Sequence, residues 1–301
     1  MTPVEPAPAM PADPSFPSTP TPELRLAPEG RRRPSGDDRL RVSLRGIAVP
    51  VEHGGWGIVF EPVVLGLLVA PSIAAIFIAI AAAGTFLARQ PAKIALSDLL
   101  IRRTRYARTG VAARFLFLYA AIAVSSLALA TRVAGVEILI PLLVAAPLAA
   151  TQFVFDVRGA SRSIIAELAG AIAMGATAGM MVIGAGEGAT MAAILWGLAS
   201  ARSVTAIVYV RARLRLEQGR AVSAVPSVLA HLVVLGACHV LFRFELAPFL
   251  ALVAFALLTL RASFGLSPWR MPLPPKRLGW REIAWGAASI LLIAAGFRAG
   301  I

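Results

Sequence analysis

Glu61 and Arg202 are the residues of this chain best placed to do chemistry, because each stands inside an apolar run where charge is costly. Glu61 follows the stretch "VPVEHGGWGIVF" and lies about 12 Å along a helix that would begin near Gly54. Gly54, Gly57 and Glu61 share one helical face by their spacing, so little side-chain bulk stands above the carboxylate. Pro62 removes a backbone donor beside it and should bend the helix there. A glycine-floored groove leading to a buried acid would suit a ligand or a proton. A buried ion pair that fixes helix register is the plainer alternative. Counted from the basic ends of their segments, Glu61 and Arg202 fall at similar depth, which predicts that they pair, directly or through a shared ligand. Arg202, Thr205, Tyr209 and Arg213 recur at helical spacing and form a polar stripe running from mid-membrane to the basic end. Arg213 could instead snorkel to headgroups.

Glu52 and His53 precede this helix, where His53 could titrate near neutral pH or donate to an anion. Trp56 reads as an interfacial anchor. Asp156, Arg158 and Arg162 form a tight connection, with Gln152 just before it, Glu167 just after it, and Asp98 alone among the basic residues of another loop. Together these groups imply a cavity of positive potential, suited to a phosphate or carboxylate headgroup. The loop arginines could equally be topology determinants against anionic lipid. His231 and His239 are eight residues apart, about 12 Å along a helix, and cannot share one metal. No metal site is expected. Zinc motifs, nucleophile elbows and Walker-type loops are absent from the sequence. The single cysteine, Cys238, excludes an intrachain disulfide and reads as a small apolar residue.

These residues need a lipid-embedded frame to hold them. The chain has 301 residues, 58% of them hydrophobic and only 15% charged, with a mean hydropathy of +0.77. Apolar blocks of bilayer-spanning length predict nine transmembrane helices, roughly 54–70, 72–88, 113–130, 135–155, 164–185, 189–210, 224–242, 245–261 and 281–298. The net charge of +13 sits between these blocks, so it reports membrane topology rather than nucleic-acid binding. Arg41, Arg45, Arg89, Lys93, Arg102, Arg103, Arg105, Arg108, Arg158, Arg162, Arg211, Arg213, Arg215, Arg220, Arg270, Lys276, Arg277 and Arg281 fall on one side; the opposite connections carry only Arg132 and Arg243. That alternation puts the N-terminus in the cytoplasm and the C-terminus outside. Residues 1–45 are Pro- and Arg-rich and read as a disordered tail, and 46–301 as the membrane domain. Ala171, Gly175 and Gly179 recur every fourth residue of the fifth span, a pattern for close helix packing or for a ligand pressed on the glycines.

The opening segment, carried by Pro50, Glu52, His53, Gly54, Trp56, Pro62 and Gly66, is similar to the hallmark of the YwiC-like family of bacterial membrane proteins, and "YVRARLR", Tyr209–Arg215, also resembles members of it. This implies a multi-pass protein of the bacterial inner membrane and carries no established activity. Nine spans with polar loops after the second and sixth more distantly resemble UbiA-type prenyltransferases, which implies an all-α, UbiA-like bundle. That superfamily holds magnesium and an isoprenoid diphosphate on aspartate-rich loops. Here Arg211, Arg213 and Arg215 stand where acids should, and the other loop offers only Asp98. One carboxylate is not a magnesium site, whereas arginines could hold a phosphate without metal. Three functions stay open: a protein binding an anionic lipid or cofactor in a cytoplasm-facing cavity, a transferase of altered, metal-independent mechanism, and a transporter or membrane assembly partner. The expected binding residues are Glu52, His53, Gly54, Trp56, Gly57, Glu61, Asp156, Arg158, Arg202, Tyr209 and Arg213.

Overall fold

Each expected apolar segment folds as a helix. The computed structural model describes residues 44, 46–49, 55–100 and 106–301, all within one unit, Leu40–Ile301. The readings made on most of the 1–45 tail, on Glu52, His53 and Gly54, and on Arg102, Arg103 and Arg105 lie outside the described residues. The α-helices described in full are α1 (Gly55–Val69), α2 (Ile73–Leu100), α3 (Tyr106–Ala134), α4 (Ile140–Val157, after the 3-10 turn Val136–Leu139), α5 (Ile164–Gly184), α6 (Ala189–Glu217), α7 (Val225–Arg243), α8 (Phe249–Gly265) and α9 (Pro275–Ala299). Seven of them are long and apolar enough to cross a membrane; α1 and α8 are shorter apolar helices. Helices suit this setting because a bilayer offers no water to the backbone, and an α-helix satisfies its own amides.

Two long helices correct the sequence reading. The loop expected after the second span is largely helical: α2 runs on to Leu100, and α3 starts at Tyr106. Likewise α6 continues to Glu217, past the expected end near residue 210. At 1.5 Å per residue, helices of 28 and 29 residues reach about 42 Å, beyond a hydrocarbon core of about 30 Å. Their last turns are rich in Ala, Arg, Lys and Leu, which keep helical geometry in water as readily as in lipid. Tight turns close other helices. Gly159 ends α4 at φ 74°, where its N–H donates to Asp156 O at 3.1 Å, and a side chain there would be strained. Ser163 then caps α5 by accepting from Ala166 N at 3.2 Å.

The centre of the bundle is α5 with α6, whose apolar windows are 61% and 50% buried, whereas those of α3, α4 and α7 are 11%, 17% and 17% buried and lie at the periphery. The small residues of α5 explain its position. A Cβ at Gly179 would come within 3.0 Å of Ala192 O, and one at Gly175 would strike Ser200 and Trp196. The stripe is therefore covered by α6, not by a ligand. Trp196 Nε1 seals the contact by donating to Ile172 O at 2.7 Å. On another side Gly66 of α1 lies against Met181 and the Ala178 backbone, which packs α1 onto α5.

Candidate functional site

The site is built outward from Arg202, which α6 carries into the interior with 1% exposure. Its Nη2 donates to Glu61 Oε1 at 3.3 Å and to Glu282 O at 3.4 Å. The pairing expected between the first and sixth helices is therefore present. It is long for a charge-assisted bond, which usually spans about 2.7–2.9 Å. The Nε and Nη1 of Arg202 have no hydrogen-bond partner among the described residues. Gly57 lies one turn before Glu61, and a Cβ there would be 3.7 Å from Glu61 Oε1. Gly286 of α9 approaches closer still: a Cβ on it would overlap Glu61 Oε1 and come 2.9 Å from Arg202 Nη2. The pair thus fits only because position 286 has no side chain.

The sequence reading missed the second half of this cluster. Arg261 of α8 donates from Nη1 to both carboxylate oxygens of Glu282, at 2.7 and 2.6 Å. Its guanidinium lies over the Tyr209 ring at 4.1 Å and near the Trp285 ring at 6.0 Å, a cation–π arrangement on two aromatics. Arg261 is 8% exposed, and its Nε and Nη2 lack partners among the described residues. Glu282 joins the two arginines, giving its carbonyl to one and its carboxylate to the other. One signal could have found it: Glu282 is the only acid after Glu245. Arg261 closes the expected span 245–261, where its type and position alone point to no partner.

The other expected residues take different places. Tyr209 joins the cluster as the platform under Arg261. Arg213 is directed elsewhere: it donates to the carbonyls of Gly265 and Met271 and pairs with Glu217 at 2.8 Å, tying α6 to the end of α8. The polar stripe thus serves two purposes, charge pairing above and helix-end capping below. Trp56 packs between α1 and α2, stacked on Phe60 at 5.6 Å and edge-on to Phe86 at 5.0 Å. His231 is buried with Nδ1 2.7 Å from Ser227 O.

Asp156 and Arg158 lie apart from this cluster. Asp156 is 1% exposed and paired with Arg89 through two bonds of 2.5 and 2.9 Å. Arg158 is exposed at the end of α4. Beside the Arg89–Asp156 pair lies a cavity of about 470 Å³ between α2, α4 and α5, with Leu127 of α3 on its wall. Along α2 it runs from Ile78 to Ala92, about 21 Å of helix. Its walls are alanine, methionine and leucine, and its polar groups, Arg89, Gln152 and Asp156, gather at the end next to the basic loops, with Thr85 and Thr177 along the walls. Exposed Leu142 and Phe153 border it, so it opens sideways. Glu61 and Arg202 are not part of this lining. Glu167 and Asp98, expected to face it, are tied to Arg211 at 2.7 Å and to Thr109 at 2.9 Å. Among the described residues no three His, Cys, Asp or Glu side chains gather closely enough to hold a metal ion.

The model of the family described as YwiC-like protein matches residues 49–182, so this chain is similar to that family from the approach to α1 through most of α5. The stretch includes Glu61, Asp156 and the cavity walls; Arg202, Arg261 and the "YVRARLR" segment fall beyond it. No curated protein and no solved structure matches the chain.

Proposed function

We propose that this multi-span membrane protein binds an anionic amphiphile, its apolar chain in the α2–α4–α5 cavity and its headgroup at the Arg89–Asp156 end. The observation that carries this reading is the cavity's polarity: largely apolar over about 16 Å of α2, from Ile78 to Arg89, and polar at the end where Arg89, Gln152 and Asp156 gather. Lipid around the protein is as apolar as the cavity walls, so burying a chain there gains little by itself. Discrimination must come from the head. Lys93, one turn beyond Arg89, holds Ser161 Oγ at 3.2 Å with one of three donors, leaving capacity for an anion. A charge-assisted bond from Lys93 to a headgroup oxyanion contributes about 1.5–3 kcal/mol, which a head without an oxyanion cannot supply. The sideways opening would let the chain enter from the bilayer.

All nine helices cross the membrane in this reading, with the basic loops and the cavity's polar end in the cytoplasm of a bacterial cell. If α1 and α8 did not cross, the segment before α1 and the Arg270–Arg277 loop would fall on the side opposite the other basic loops. The test is native mass spectrometry of the purified chain beside Ala149→Phe and Ala173→Phe, which fill the cavity from α4 and α5. The expected result is one anionic lipid retained by the parent chain and lost from both variants. Equal retention by the parent and the filled variants would refute the assignment.

A further inference from the structure

The Glu61–Arg202–Glu282–Arg261 cluster is a second place of interest, on different helices from the cavity and independent of what the cavity holds. Its two ion pairs are unequal. Arg261 grips Glu282 with both oxygens at 2.6–2.7 Å, whereas Arg202 touches Glu61 once, at 3.3 Å. Arg202 has only 1% exposure, yet its Nε and Nη1 find no acceptor among the described residues, and the same holds for Nε and Nη2 of Arg261. A buried guanidinium with idle donors lacks oxygen acceptors, and a planar oxyanion matches its fork. Glu61 remains 16% accessible and Glu282 13%, so both carboxylates keep some contact with the surface, and it is the weaker hold on Glu61 that sets the pairs apart.

Charge then sets a condition. Two arginines and two glutamates balance, so an anion entering alone would leave one net negative charge inside the bundle, which the membrane opposes. We propose that Arg202 is the centre of a proton-coupled site for a monovalent planar oxyanion of the carboxylate class. The anion's oxygens bond to Arg202, the Arg202–Glu61 contact breaks, and Glu61 takes one proton from water, so the cluster stays neutral. The charged groups acting on Glu61 are Arg202 from α6, Glu282 from α9 and Arg261 from α8. The charges of α2 and α5, which also pack on α1, are engaged elsewhere: Arg89 with Asp156, Lys93 with Ser161, Asp98 with Thr109 and Glu167 with Arg211. His231 of α7 lies in the field of both arginines and is the competing proton acceptor.

The experiment uses the full chain in phosphatidylcholine nanodiscs, titrated calorimetrically with acetate, with octanoate, and with nitrate, which does not itself titrate. Repeating it in two buffers of different ionisation enthalpy counts protons. The expected result is saturable binding with one proton taken up per anion, and affinity falling about tenfold per pH unit where Glu61 is ionised. Glu61→Gln, which mimics the protonated acid, should bind without proton uptake and without that pH dependence. Arg202→Met should not bind. Tighter binding of octanoate than acetate would mark the anion as the head of an amphiphile, and equal binding would mark a free anion. Absence of saturable binding in the parent chain would show that the idle donors meet water only and would overturn the proposal. So would binding without proton uptake, or proton uptake persisting in Glu61→Gln, which would point to His231. If Arg202→Met does not fold, the Glu61→Gln comparison still decides.

Discussion

Two chemically identical substitutions on α9 should change stability in opposite directions. At Gly279 nothing lies within 4 Å of an added Cβ, so Gly279→Ala should gain the ordinary helix benefit, about 0.5–1 kcal/mol. At Gly286 an added Cβ overlaps Glu61 Oε1 and sits 2.8 Å from Glu61 Cδ and 2.9 Å from Arg202 Nη2. Both neighbours are ends of flexible side chains, so the ion pair gives way before the backbone does. Losing a hydrogen bond to a charged group costs about 1.5–3 kcal/mol, and the 3.3 Å separation places this one at the lower end. Against the same helix benefit, Gly286→Ala should lose about 1 kcal/mol. The helix benefit is common to both, so the two variants differ by the lost bond alone, about 1.5 kcal/mol, roughly tenfold in the unfolding equilibrium. Titration with sodium dodecyl sulfate in mixed micelles, followed by tryptophan fluorescence, would measure both. If Gly286→Ala stabilised as much as Gly279→Ala, Glu61 would have room to spare, and the picture of a pair clamped by three helices would be wrong.

Other substitutions probe the rest of the frame. Arg89→Met strands Asp156 at 1% exposure without its partner and should cost about 3–5 kcal/mol in the same assay, most of it recovered in Arg89→Met/Asp156→Leu. Gly179→Ala presses a Cβ to 3.0 Å from the Ala192 carbonyl, so α6 must shift, with an expected loss of about 1–3 kcal/mol, while Gly197→Ala on α6, with nothing within 4 Å, should be neutral or stabilising.

What the sequence determined by itself is whatever repeats or accumulates along the chain. Runs of apolar residues located the nine apolar helices of the described residues, seven of them long enough to cross a membrane, because a bilayer forces each crossing to satisfy its own backbone. Ala171, Gly175 and Gly179 announced a close helix contact, because small residues at that spacing let backbones meet. Depth could be counted from the basic ends, and so Glu61 and Arg202 were matched. Depth, however, is only an axial coordinate. Which helices stand beside one another, and at what rotation, depends on side-chain packing summed over the bundle. Tertiary structure alone therefore brought Arg261 and Glu282 from the last two helices onto Arg202 and turned Arg213 towards the Gly265 and Met271 carbonyls. It also made Gly286 the space that Glu61 occupies and placed the cavity at Arg89 and Asp156 rather than at Glu61. A residue's cost in the membrane is written in its type and depth, but its partner is chosen by neighbours as far as 141 residues away along the chain.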